Sequence, residues 1–98
     1  MRILTFLDTD HLSGPARLAL AFCVQAQSLG HTVMVAGLVR GSDGQENAFT
    51  QSVRQAGLPL TVLHERRRFD PGVMRQMDAL VESFAPDIYQ SHGYKGSL

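Results

Sequence analysis

Four short apolar runs, beginning roughly every 26–30 residues, are the strongest constraint this chain places on its own fold. They are RILTFLD (residues 2–8), TVMVAGLV (32–39), LPLTVLH (58–64) and DIYQ (87–90). Two parallel strands need a crossover of a dozen or more residues, usually a helix, and the spacing leaves room for one each time. The first run is nearly continuous in Ile3, Leu4, Phe6 and Leu7, the pattern of a strand covered on both faces. The second is rich in β-branched residues, with Thr32, Val33, Val35 and Val39.

Each intervening stretch carries helix signals. Residues 15–29 repeat apolar positions at Leu18, Phe22, Gln25/Ala26 and Leu29, which predicts a helix buried along that stripe. Pro15 suits its first turn, and Gly30 can end it in a left-handed conformation. Cys23 reads as packing inside this helix. Residues 45–56 predict a second helix on Phe49, Val53 and Ala56, stopped by Gly57. Asp70 and Pro71 cap and open a third, striped by Val73, Met77, Leu80/Val81 and Phe84 and closed by Pro86. Met74 and Met77 read as core. The order β-α-β-α-β-α-β predicts one α/β unit over residues 1–98, a Rossmann-like parallel β-sheet with helices on both faces. The closing GYKGSL resembles the start of another helix, so the chain reads as the front part of a longer protein. Exposed apolar surface and self-association through an open sheet edge are then expected.

Composition narrows the partners. Nine Lys/Arg balance nine Asp/Glu, which argues against a nucleic-acid-binding domain. At 44% hydrophobic and 18% charged residues, disorder is disfavoured. One cysteine excludes an internal disulfide, and no HExxH or zinc-ligand spacing is present, so no metal is expected. Asp8 and Asp10 directly follow the first apolar run, which is unlike a signal peptide, and the expected setting is the cytoplasm.

In open parallel sheets ligands bind beyond the carboxyl ends of the strands. Those ends are residues 9–14, 41–44, 65–70 and 91–95. In the first, His11 and Ser13 precede Gly14, where a ligand can approach the backbone closely. The helix that follows aims its N-terminus there, which favours a phosphate. This segment has a single glycine, so it is neither GxGxxG nor a P-loop. In the last, His92 can hydrogen-bond a hydroxyl or move a proton near neutral pH, and Gly93 leaves room beside it. Arg66, Arg67 and Arg68 form the basic cluster, read as a solvated loop that could also touch a phosphate or an anionic membrane. His31 and His64 read as structural, at strand edges.

Three motifs recur in order: Leu29-Gly30-His31-Thr32-Val33 into the second strand, Ala56-Gly57-Leu58-Pro59-Leu60 into the third, and Pro86-Asp87-Ile88-Tyr89-Gln90-Ser91-His92 at the fourth. With the first strand and its loop they resemble the opening of a group-1 (family 4) glycosyltransferase of the GT-B fold, over nearly all of the chain. The family often has two adjacent glycines in the first loop, where this chain has Ser13-Gly14. The resemblance implies the partial N-terminal, acceptor-side domain of a two-domain enzyme. Such an enzyme moves a sugar from a nucleotide-sugar donor to a glycan, lipid or small-molecule acceptor with retention and without a metal or other cofactor. It implies that His92 is catalytic and contacts the transferred sugar. It implies that Gly14, with Ser13, approaches the donor diphosphate or the acceptor; His11 and Gly93, in the same loops, are expected to bind donor or acceptor beside them. The C-terminal, donor-binding domain of the family has no counterpart in these 98 residues, so the chain by itself is expected to be inactive.

Two other readings compete. A non-enzymatic flavodoxin-like or receiver-like binding module fits the α/β pattern, but His64-Glu65 stand where a receiver places its acceptor Asp. A dinucleotide-binding oxidoreductase needs the triple-glycine loop and an acidic residue after the second strand, where Val39-Arg40 stand.

Overall fold

A computed structural model describes residues 1–9, 13–40, 47–66 and 70–92, with the backbone alone at His92. Seven elements follow one another: β1 (Arg2–Leu7), α1 (Gly14–Ser28), β2 (Thr32–Arg40), α2 (Ala48–Gln55), β3 (Leu60–Glu65), α3 (Pro71–Phe84) and β4 (Ile88–His92). The strands form one all-parallel sheet in the order β3-β2-β1-β4. This is the Rossmann order. The flavodoxin-like order differs, because there the first strand lies between the second and the third.

Alternation along the strands sorts the core into two layers. Ile3, Leu7, Val33 and Val35 pack on one face against α1 and α2, through Ala16, Leu20, Cys23, Phe49 and Val53. Leu4, Phe6, Ala36, Leu38 and Leu63 pack on the other against α3, through Val73, Met77, Leu80 and Phe84. Helices thus cover both faces, as the near-continuous apolar runs require.

The local signals operate as chemistry predicts. Asp70 caps α3 by accepting from the Gly72 N–H at 2.8 Å. Asn47 and Thr50 form a reciprocal capping box at the start of α2. Gly30 and Gly57 take φ of 93° and 76° just past their helices, where a side chain would be strained. Chain paths differ from expectation in places. Helix α2 begins at Ala48, three residues later than predicted, and Ala56 is exposed at its cap. Strand β4 runs on to His92, two residues past the predicted end at Gln90, so Ser91 and His92 are strand residues and not part of a loop.

The predicted stripe of α1 holds only at Ala26. Leu18, Phe22 and Leu29 are 74%, 45% and 67% exposed, and the face turned to the sheet is Ala16, Ala19, Leu20, Cys23 and Ala26. Two stripes with helical spacing share this helix, and the one with small side chains lets its axis lie close over β1 and β2. Met74, expected in the core, is likewise exposed, whereas Met77 is buried.

Candidate functional site

The sheet order reverses between β1 and β4, since β1 pairs with β2 on one side and with β4 on the other. Such a reversal opens a crevice at the carboxyl ends of the two strands, because the chains leaving them diverge. Leu7 and His92 are register partners at that end. From Leu7 the chain passes Asp8 and Thr9 and re-enters the described structure at Ser13, which caps α1.

Ser13 is extended and its side chain accepts from the Ala16 N–H at 3.3 Å. Pro15 has no N–H. Within this first turn the Ala16 and Arg17 N–H groups donate to Ser13, and the Gly14 N–H has no partner among the described residues. Gly14 has no positive φ, and a Cβ built on it would meet no atom within 4 Å. Neither backbone conformation nor packing therefore demands glycine here. What its missing side chain leaves is open space beside a helix N-terminus, suited to an anionic or hydroxyl-bearing group.

Of the residues expected at the site, the structure places Ser13 and Gly14 at the start of α1 and the His92 backbone at the end of the adjacent strand. His11 and Gly93 lie outside the described residues, as do Arg67 and Arg68 of the basic cluster. Arg66 and His64 are exposed and His31 is half-buried.

A second rim feature escaped the sequence reading. The Arg40 guanidinium at the end of β2 donates through Nε to Glu65 Oε1 at 2.6 Å and through a terminal nitrogen to Asp8 Oδ1 at 2.8 Å. One cation thus ties the exits of β1, β2 and β3, and Glu65, which the sequence places just beyond the third strand, is a buried strand residue. Desolvation opposes the charge on Arg40, but the two carboxylates outweigh it and raise its pKa above the usual value. Two carboxylates hold this one guanidinium, so its charge is already matched within the rim. A signal was present: each of the first three apolar runs is followed within two residues by a charged one, Asp8 in FLD, Arg40 in LVR and Glu65 in LHE.

Beneath the rim lies a polar thread, buried at Cys23 and Thr5 and half-buried at Gln90. Cys23 Sγ–H donates to Thr5 Oγ1 at 3.6 Å, and Thr5 Oγ1–H donates to Gln90 Oε1 at 3.4 Å, joining α1, β1 and β4. Burial pushes the Cys23 thiol up from its ordinary pKa, against the Thr5 hydrogen bond, so it stays protonated and unreactive.

Among the described residues no three His, Cys, Asp or Glu side chains gather as a metal site, and no helix is long and apolar enough to cross a membrane. No family model matches the chain, and neither the curated proteins nor the solved structures hold a match.

Proposed function

We propose that this chain is the acceptor-side Rossmann-like lobe of a retaining, two-lobed glycosyltransferase that uses a nucleotide-sugar donor in the cytoplasm. The observation that carries the reading is the strand order. It puts the exit of β1, which leads to the start of α1 at Gly14, beside the end of β4 at His92, where a reversal of strand order favours a crevice. In this reading the Gly14 amide and the start of α1 face the charge of the donor diphosphate or a polar group of the acceptor. Stabilisation of that kind matters most as the leaving nucleoside diphosphate gains charge. His92 contacts a hydroxyl of the transferred sugar. The acceptor is a glycan, a lipid or a small molecule. The lobe needs no metal and no other cofactor, and sustained turnover needs a second lobe to hold the donor.

The test uses the isotopically labelled chain and a panel of nucleotide-sugars at millimolar concentration, following backbone amide shifts and nucleotide release together. The expected result is shifts centred on Gly14 and His92, abolished in Gly14→Val, with no sustained release. Shifts confined to other parts of the molecule, or none at all, would refute the site. Sustained release would refute the need for a second lobe.

A further inference from the structure

Among the described residues β3 pairs with β2 alone. The Val35 N–H donates to the Pro59 carbonyl at 3.0 Å, so odd-numbered residues of β3 turn their backbone groups to β2 and even-numbered ones turn theirs away. His64 is one of the latter. Its N–H donates to Gln76 Oε1 and its carbonyl accepts from Gln76 Nε2, both at 2.9 Å. These are the two bonds that a residue of an antiparallel neighbour would exchange with it.

The carboxamide is held in this orientation. Gln76 Nε2 also donates to the Gly72 carbonyl at 3.1 Å, one helical turn back, so both of its hydrogens are used. A reversed amide would set its oxygen against two carbonyls and its nitrogen against an N–H. Two residues past His64, the Arg66 N–H donates to Asp70 Oδ2 at 3.0 Å, while Oδ1 of the same carboxylate caps α3 at the Gly72 N–H. The cap and the second turn of α3 thus fasten the outward backbone of β3 at His64 and Arg66.

The sequence of the strand supplies little other protection. Natural edges are commonly guarded by outward charges, by proline or by bulges. Of Lys, Arg, Asp and Glu, the strand LTVLHE holds only Glu65, and that carboxylate is buried and tied inward to Arg40 of β2. Leu60, Thr61 and Val62 are half-buried, and apolar and β-branched residues of this kind pair readily with another strand.

We propose that Gln76 is an edge guard. Its carboxamide stands in for a neighbouring strand and, with Asp70, keeps the carboxyl half of β3 from pairing with a strand of any other chain. While these bonds are made, the N–H and C=O of His64 have nothing left to offer an incoming backbone.

Hydrogen exchange and sedimentation of the 98-residue chain test this together. In the parent, the His64 amide is expected to exchange at least roughly tenfold more slowly than in an unstructured chain, although it faces away from β2. Gln76→Met keeps the length and helix propensity of the side chain and removes both bonds. The His64 amide is then expected to speed up roughly tenfold or more relative to that of Leu63, whose N–H faces β2. A general loss of stability would speed both amides and leave their ratio unchanged. The same variant is expected to self-associate at concentrations where the parent does not. A His64 amide that exchanges at the unstructured rate in the parent overturns the proposal even if the variant fails to fold. An unchanged ratio in the variant, or a variant that associates no more than the parent, also overturns it.

Discussion

Gly37, in the middle of β2, has a role the chain pattern does not announce. It faces α2, and a Cβ built there would lie 3.0 Å from Thr50 Cγ2, 3.6 Å from Phe49 Cε2 and 3.7 Å from Leu60 Cδ1. Its φ is not positive, so the conformation itself would accept alanine. Thr50 cannot swing aside. It is fully buried, its hydroxyl donates to the Asn47 carbonyl at 3.0 Å and accepts from the Asn47 N–H at 3.2 Å, and its own N–H donates to Asn47 Oδ1. Relieving the contact means displacing α2 or breaking its cap. Overpacking of this kind costs about 1–3 kcal/mol, and replacing glycine returns about 0.4–1 kcal/mol of unfolded-state entropy. Gly37→Ala is therefore expected to destabilise by roughly 0.5–2 kcal/mol, a Tm loss of several degrees in a domain of this size. Thr50→Ser removes the clashing methyl and keeps the hydroxyl. It costs about 1 kcal/mol alone, as a buried methyl deletion does, but in the double variant it is expected to recover at least ~0.5 kcal/mol relative to additivity. Urea denaturation of the four proteins measures the cycle. A Gly37→Ala variant as stable as the parent, or strict additivity with Thr50→Ser, would refute the steric argument.

Two further expectations follow from hydrogen bonding and burial. Asp70→Ala removes the cap of α3 and the carboxylate that holds the Arg66 N–H, and is expected to cost about 1–2 kcal/mol by urea denaturation; Asp70→Asn keeps an acceptor and is expected to cost less. The Cys23 thiol has a folded pKa above its ordinary value of 9.0, so above that pH the unfolded chain loses a proton that the native chain retains. Stability is then complete below about pH 9 and falls as pH rises towards the folded pKa, by at most about 1.4 kcal/mol per pH unit for this one group. Cys23→Ala is expected to flatten that alkaline decline relative to the parent in denaturation curves taken from neutral to alkaline pH; an unchanged slope would show that the buried thiol does not contribute.

The element order, the two glycine stops, the Asp70 cap and the two-faced sheet were legible in the sequence because they depend on local chemistry. Left-handed turns need glycine, caps need a short acceptor side chain, and a strand covered on both sides reads as an unbroken apolar run. Ser13 and Gly14 were legible as a candidate site for the same reason, since a strand exit followed by a helix start is a local pattern. Tertiary structure alone decided the rest. Helix α1 carries two stripes of equal period, and only its packing over β1 and β2 shows that the face with Ala16, Ala19, Cys23 and Ala26 is buried in place of Leu18, Phe22 and Leu29. Arg40, Asp8 and Glu65 are tens of residues apart along the chain and meet only because β1, β2 and β3 end side by side. The placement of β4 beside β1, which sets the end of β4 next to the β1 exit that leads to Gly14, is a choice of strand order. No periodicity encodes that choice, because every strand offers the same backbone groups to whichever neighbour the packing brings.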